Sequence, residues 1–184
     1  MYELFKAKAE VAGAEVHRMP SKQAALDFVI NFLGSQNISA TPAARAVWAD
    51  GPFLQGLNAA DIQKKVLGLT TAVSRESSAE ARIGITDMAW ALADTGSLVA
   101  DQTAAEQRLA STLPEIHVAL IPSQNILPGK AAVFSKLSPH TARFIAFITG
   151  PSRTADIERV LTIGVHGPKR LIIVFVDGWK GGAA

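Results

Sequence analysis

The stretch from residue 144 to residue 176 constrains the fold of this chain more than any other part of the sequence. It opens with a short apolar run at residues 144–148 and closes with a second one at residues 171–176. Neither run alternates apolar with polar residues, which is typical of strands buried on both faces of a parallel sheet. We therefore expect both runs to be strands of a parallel sheet covered by helices.

A polar loop at residues 149–154 follows the first run, and we interpret the segment after it as a helix. This order places the loop at the carboxyl end of a strand, where open α/β sheets usually bind their ligands. Gly150 permits close approach to the backbone, and both Ser152 and Thr154 carry hydroxyl groups. Arg153 adds a planar guanidinium group. Together with the free N–H groups of the helix, these residues could bind a phosphate or a carboxylate.

The same loop also has a purely structural interpretation. Ser152 or Thr154 would cap the helix, while Asp156 and Glu158 would complement the positive end of its dipole. Arg153 would then pair with one of these two acids. Two carboxylates in the first turn would also repel an anion, so the sequence leaves both interpretations open.

Strand and helix signals alternate along the rest of the chain. The predicted strands cover residues 15–18, 45–49, 70–73, 83–87 and 116–121, besides the two runs above. The predicted helices cover residues 4–12, 22–34 after Ser21, 58–67 after Asn58 or Asp61, 104–113 after Thr103, and 128–137 from Pro128. This alternation predicts one α/β domain over residues 1–184, with a largely parallel sheet flanked by helices and a frayed tail at residues 179–184.

A turn at residues 93–97 is the second candidate site. Apolar residues flank it, so a strand, turn and strand are plausible, although an Ala-rich helix over residues 88–92 is the alternative. Asp94, between these strands and beside the hydroxyl groups of Thr95 and Ser97, could act as a base, a nucleophile or a partner-binding group. Alternatively, Asp94 hydrogen-bonds the backbone of its own turn, which Gly96 makes possible.

The four histidines show no spacing typical of metal ligands, and we predict no metal site. They are His17, His117, His140 and His166. His166 is the strongest candidate for a ligand or partner contact because it lies in the glycine-flanked turn GVHGP, just before the last strand. A structural hydrogen bond is the alternative for this side chain.

Composition excludes several classes of protein. The net charge is +2 and the 18 Lys and Arg residues are scattered, so we expect no nucleic-acid partner. No apolar run approaches the roughly 20 residues that span a bilayer, and the first residues lack a signal-peptide core, so we expect a cytoplasmic protein. The sequence contains no cysteine, which excludes disulfides, thiolate nucleophiles and cysteine-held iron–sulfur clusters on this chain.

Several motifs, in order along the chain, resemble those of the lactate utilisation protein C family (LutC or YkgG-like). They are GAEVHR (13–18), GIT (84–86), ADTGSLV (93–99), LPEIHVALI (113–121), GPSRTADIE (150–158) and GVHGP (164–168). The likeness extends over nearly the whole chain. Family members often carry Glu where this chain has Asp94, which shortens the carboxylate.

This resemblance implies a fold of the NagB/RpiA/CoA-transferase-like type. It also implies work in the oxidation of lactate to pyruvate, alongside iron–sulfur proteins of the same operon. Because this chain lacks cysteine, we expect the clusters on those partners and a binding, assembly or positioning role here. The alternative is a stand-alone enzyme of this fold with a phosphorylated, CoA-linked or folate-like substrate, which requires Asp94, Ser152 and Arg153 to converge on one cleft.

Overall fold

Helices and strands alternate along most of the chain, as the sequence pattern predicts. The computed structural model describes residues 1–137, 142–155 and 161–181. The helices are α1 (Tyr2–Val11), α2 (Lys22–Ser35), α3 (Ala59–Lys65), α4 (Arg75–Ala79), α5 (Ala105–Thr112) and α6 (Lys130–Phe134). The strands are β1 (Glu15–Met19), β2 (Arg45–Trp48), β3 (Leu69–Thr70), β4 (Ala81–Asp87), β5 (Trp90–Leu92), β6 (Ser97–Asp101), β7 (Ile116–Pro122), β8 (Ile126–Leu127), β9 (Ile145–Ile148), β10 (Arg153–Ala155), β11 (Leu161–Ile163) and β12 (Arg170–Val176).

Side-chain caps confirm two of the predicted helix starts. The side chains of Ser21 and Asn58 each accept a hydrogen bond of 3.1 Å from a backbone N–H in the first turn of α2 and α3. Thr103 does not cap α5, because its hydroxyl accepts instead from backbone N–H groups just before β9. Pro128 precedes α6 by two residues and does not open it. None of the helices in the described residues is long and apolar enough to cross a bilayer.

The main sheet is built from six strands in the described part of the chain. Its order is β1-β12-β7-β4-β2-β3, and every neighbouring pair is parallel. β7 is buried along its whole length and β12 is buried from Leu171 to Val176, which agrees with their uninterrupted apolar sequences. Separate hydrophobic clusters cover the two faces of the main sheet. The predicted α/β class, with a largely parallel sheet flanked by helices, is confirmed.

A second sheet contains four strands of the described residues in the order β8-β5-β6-β9. β5 and β6 are antiparallel, so the strand, turn and strand interpretation is correct and the Ala-rich helix is not. β9 lies at the edge, antiparallel to β6, so the prediction that residues 144–148 join the parallel sheet is wrong. The physical reason is that the apolar side chains of this run line an open cleft instead of a core, and Phe147 is 38% exposed.

The predicted helix after residue 154 is also wrong over the residues that the structure describes. β10 and β11 pair as antiparallel strands, with Arg153 opposite Ile163. β-branched residues at positions 154, 162 and 163 favour this extended backbone over a helix. The anion site that needed a helix N-terminus is therefore not formed at residues 153–155. Asp156, Glu158 and His140 lie outside the described residues.

Trp179 anchors the end of the described chain. Its side chain is 7% exposed and its ring meets the Phe53 ring edge-on, with 5.1 Å between the ring centres. Its carbonyl oxygen accepts a hydrogen bond of 2.8 Å from the Gln124 side chain. Residue 179 is therefore not part of a frayed tail, because burial of a large aromatic side chain is favourable in free energy. Residues 182–184 lie outside the described part.

Candidate functional site

The loop at residues 149–154 lies at the end of the main sheet where β1 and β12 begin. The backbone N–H of Ser152 donates to the carbonyl of Pro168, just before β12, at 2.9 Å. Gly150, with φ of 65°, packs on the carbonyl of Ala12, just before β1, and a Cβ there would lie 2.2 Å from that oxygen. The expected position at the carboxyl end of a parallel strand is wrong, because the preceding strand, β9, belongs to the other sheet.

Arg153 holds this loop against the end of α1. Its Nη2 donates to the carbonyl oxygen of Ala12 at 2.6 Å, and the ring of Pro151 packs beside Gly13. The bond satisfies a carbonyl group that the end of a helix leaves without an intrahelical partner. Arg153 therefore anchors the loop. Neither Arg153 nor Thr154 lines the open cleft beside β9, which is described below.

Hydroxyl groups connect the turn at residues 93–97 with this loop. The hydroxyl of Ser97 donates to Thr95 Oγ1 at 2.8 Å and lies 2.7 Å from Thr149 Oγ1. Gly96, with φ of 68°, packs on α1, where a Cβ would lie 2.4 Å from a backbone nitrogen. The two candidate segments of the sequence therefore meet, and both are docked on the same helix.

Asp94 does not share the cleft with the 149–154 loop. Its carboxylate lies beside Gly129, just before α6, where a Cβ would be 2.5 Å from Asp94 Oδ2. Its backbone N–H donates to the carbonyl of Pro128 at 3.2 Å. The side chain is exposed to solvent. Of the three residues that the enzymatic alternative needed in one cleft, only Ser152 lines it.

A cleft of about 630 Å³ lies between β9, α5 and the turn that precedes β12. This volume is within the range of small-molecule sites. Three of the residues singled out in the sequence line it, namely Gly150, Ser152 and His166. Most of its apolar wall comes from β9, and His166 is exposed at its rim. The structure thus brings His166 and the 149–154 loop together, although one precedes a strand and the other follows one.

Arg108 gives the cleft a positive charge. Its guanidinium donates to the backbone carbonyls of Gln102 and Thr103, the second at 3.0 Å, and lies 4.9 Å from the centre of the Phe144 ring. A guanidinium has five N–H donors, so these contacts fix its position and leave donors for a ligand. No Asp or Glu occurs among the described residues that line the cleft. The lining therefore favours an anion.

Two buried polar groups form the inner wall of the cleft. His117 Nε2 lies 2.8 Å from Thr86 Oγ1, and burial lowers the pKa of His117 to about 4, so its ring is neutral at pH 7. The side-chain amide of Gln102 donates to Ser111 Oγ at 3.0 Å. Both groups are hydrogen-bonded to neighbours inside the fold and add no charge to the cleft wall.

Three further lining residues were not predicted from the sequence, namely Gln102, Arg108 and His117. His117 gave a usable signal, because it is a polar residue inside the apolar run of β7. Arg108 gave no such signal, because the side chain of a single arginine on a short helix is usually solvated. Their meeting depends on the packing of α5 beside β9, which the sequence pattern does not specify.

Comparison with known proteins identifies the family. A family model described as the LUD domain matches residues 2–176. The chain belongs to the LUD domain family. This LUD domain is 37% identical over 109 residues to the lactate utilization protein C of an Exiguobacterium species, and 41% identical over 104 residues to that of Anoxybacillus flavithermus. The resemblance to the LutC family drawn from the motifs is confirmed.

These alignments cover 56% and 55% of this chain and 47% of each relative. The chain thus spans about half the length of the curated relatives it matches. It is also similar to the crystal structure of a DUF162 family protein from Deinococcus radiodurans, with a TM-score of 0.56, 19% identity and 96% coverage of both chains. At that identity the likeness shows the fold alone.

Proposed function

We propose that this LUD domain works in a system that oxidises lactate to pyruvate, as a component without a redox centre of its own. The match to the LUD domain over residues 2–176 carries the proposal, and the similarity to proteins named lactate utilization protein C supports a role in lactate utilisation. Because the chain has no cysteine, cysteine-held iron–sulfur clusters would belong to partner proteins of the same operon. We place this system in the cytoplasm.

Deletion of the gene in the native host tests this role. We expect the deletion strain to lose growth on lactate and to keep growth on pyruvate, because only the oxidation step is affected. Expression of the intact chain should restore growth on lactate. Unchanged growth of the deletion strain on lactate would contradict the proposal.

The cleft beside Arg108 is our candidate for the contact of this component with a small carboxylate. A guanidinium in a partly apolar cleft binds a carboxylate through charge-assisted hydrogen bonds. His166 and the backbone of the 149–154 loop lie on the same cleft and offer further polar groups. Lactate has both features that this lining recognises, namely a carboxylate and a small apolar group.

Replacement of Arg108 by glutamine should weaken lactate binding by roughly tenfold or more, the equivalent of one hydrogen bond to a charged group. Titration of the isotope-labelled protein with L-lactate, followed by NMR, measures this effect through the amide signals of Gly150 and Ser152. Arg75→Gln is the matched control, because Arg75 is exposed and does not line the cleft. Equal affinity of R108Q and R75Q for lactate would remove Arg108 from the site.

The alternative function is a stand-alone enzyme with a phosphorylated, CoA-linked or folate-like substrate. It required Asp94, Ser152 and Arg153 to face one cleft. Asp94 lies beside Gly129, and Arg153 is bonded to α1. This separation supports the accessory role over the enzymatic one.

A further inference from the structure

The cleft beside Arg108 is larger than a small carboxylate requires. Its volume is about 630 Å³. Lactate has six non-hydrogen atoms, which at about 30 Å³ for each water-sized group fill roughly 180 Å³. Most of the cleft therefore remains open when a small carboxylate lies on Arg108, and the chemistry of its longest wall indicates what else binds there.

That wall is the outer edge of β9. β9 is the last strand of the four-stranded sheet, and no other strand of the described residues pairs with this edge. Every residue from 144 to 152 lines the cleft, and this range includes the whole of β9. Successive side chains of a strand point to opposite faces of its sheet. A cavity that contacts all of these residues therefore lies along the backbone edge of the strand.

The hydrogen bonds to β6 show which backbone groups of β9 face the cleft. The N–H of Gln102 donates to the carbonyl oxygen of Phe144 at 2.8 Å, so this carbonyl points towards the β6 side. In an antiparallel pair, only alternate residues bond to the neighbouring strand. The even-numbered residues of β9 therefore bond to β6, whereas the N–H and C=O groups of Ile145 and Phe147 point into the cleft.

The pairing of β6 with its other neighbour agrees with this alternation. Val99 lies opposite Phe147, and its carbonyl oxygen accepts a hydrogen bond of 2.9 Å from the N–H of Ala89, on the side away from β9. Phe147 is thus opposite a residue that bonds elsewhere. The cleft wall therefore presents backbone donors and acceptors at Ile145 and Phe147, two residues apart.

An extended peptide is the ligand that matches this spacing. A peptide adds to a free strand edge through hydrogen bonds from alternate backbone groups, and pockets beside the edge accept its side chains. The apolar side chains of Phe144, Ile148 and Leu171 line the same cleft. They suit apolar side chains on one face of an added strand.

Arg108 determines the direction of such a strand. Its guanidinium lies 4.9 Å from the centre of the Phe144 ring, just before β9 begins. A strand antiparallel to β9 would end at this point and bring a C-terminal carboxylate to the guanidinium, which is a favourable charged pair. A parallel strand would bring its amino terminus to the same positive charge. The cleft therefore favours an antiparallel strand with a free C-terminus.

A second copy of this chain fits the edge less well than a peptide. The edge lies inside a cleft between β9 and α5, so a second β9 would have to enter together with the helix that flanks it. The strand also carries like charges, since Lys130 Nζ lies 5.5 Å from the centre of the Phe147 ring and Arg108 lies at the other end. Two copies would bring these cations together.

We infer that the cleft binds the C-terminal tail of a partner protein as an added strand, antiparallel to β9. The backbone of the tail bonds to Ile145 and Phe147, and its terminal carboxylate bonds to Arg108. The tail would occupy Arg108 in place of lactate, and its binding does not depend on whether lactate binds.

Two forms of one peptide test this assignment on the native protein. The probe is acetyl-Thr-Val-Thr-Val, whose β-branched residues favour an extended backbone, with either a free C-terminal carboxylate or a C-terminal amide. NMR titration should show that the free acid binds about tenfold or more tightly than the amide, the effect of one hydrogen bond to a charged group. Equal affinity of the two forms, or no binding of the free acid, would overturn the inference.

Amide hydrogen exchange distinguishes strand addition from other ways of filling the cleft. With the free acid at saturation, we expect exchange to slow about tenfold or more at Ile145 and Phe147, whose N–H groups gain a partner. The N–H groups of Ala146 and Ile148 already bond to β6 and serve as internal controls. A gain in protection at these two residues as large as at Ile145 and Phe147 would contradict pairing along the edge.

Arg108→Gln tests the position of the carboxylate. In R108Q the free acid should lose its advantage over the amide, whereas the affinity of the amide stays the same. Arg75→Gln is again the matched control and should keep the full difference between the two peptides. The same difference in R108Q as in R75Q would remove the carboxylate from Arg108, and thermal unfolding checks that both variants are folded.

Discussion

Replacement of Gly84 by alanine is expected to destabilise the protein by about 3 kcal/mol, at the upper end of the usual cost of overpacking. Gly84 lies in β4, and a Cβ there would be 1.8 Å from the carbonyl oxygen of Ala110 in α5 and 2.9 Å from the ring of Pro114. None of these atoms is the end of a flexible side chain, so α5 must move away from the sheet. Chemical denaturation measures the loss.

Movement of α5 should also disturb the cleft, because this helix carries Arg108. Gly34→Ala is the matched control: Gly34 lies in α2 and no atom is within 4 Å of the added Cβ. There we expect a gain of up to about 1 kcal/mol from better helix propensity. Equal stability of G84A and G34A would show that α5 does not rest on β4 as described.

Asp87→Asn is expected to change how stability depends on pH. Burial raises the pKa of Asp87 from 3.8 to about 7, so the native state holds a proton that the unfolded state has lost. The contribution of Asp87 to the free energy of unfolding is fully present below pH 4 and is lost as pH rises towards 7. At about 1.4 kcal/mol for each pH unit, it amounts to roughly 4 kcal/mol.

His117 changes the pH dependence of stability in the opposite direction. Burial lowers its pKa from 6.5 to about 4, so the unfolded state binds a proton that the native state does not. Its contribution is present above pH 6.5 and is lost as pH falls towards 4, by roughly 3 kcal/mol. The two effects nearly cancel in the native protein between pH 4 and 6.5.

Denaturation curves at a series of pH values separate these two groups. Between pH 4 and 6.5 we expect a nearly flat profile for the native protein, a rising one for D87N and a falling one for His117→Gln. The slopes are compared within each variant, so a general loss of stability does not obscure them. The same flat profile in D87N as in the native protein would contradict a buried carboxyl with a raised pKa.

The sequence predicts the main sheet well because its central strands carry an unambiguous signal. β7 and β12 are uninterrupted apolar runs that fit only a position buried on both faces. The caps at Ser21 and Asn58 are equally local, since each depends on one side chain and the next turn of backbone. Features determined within a few residues were thus predictable.

The errors concern residues whose environment depends on distant partners. The run at residues 144–148 looks like a buried strand, but its neighbour in space is β6, and its outer side lines a cleft. Residues 153–155 have helix-compatible neighbours in the sequence, yet they pair with residues 161–163. In both cases the hydrophobic periodicity of the segment does not determine which strand it pairs with.

The candidate sites show the same division. Gly150, Ser152 and His166 were found because glycine-flanked polar turns are local signals. Arg108 was not predicted, because nothing near it in the sequence marks it as a lining residue. Its position in the cleft depends on the packing of α5 beside β9, which is a property of the whole fold.

Affinity purification of the intact chain from the native host, grown on lactate and kept anaerobic, tests the central proposal most directly. We predict that iron–sulfur proteins of the lactate utilisation operon co-purify with it, and that the iron of the preparation belongs to them, since this chain has no cysteine. A protein that purifies alone and free of iron under these conditions, from cells that are oxidising lactate, would contradict the account.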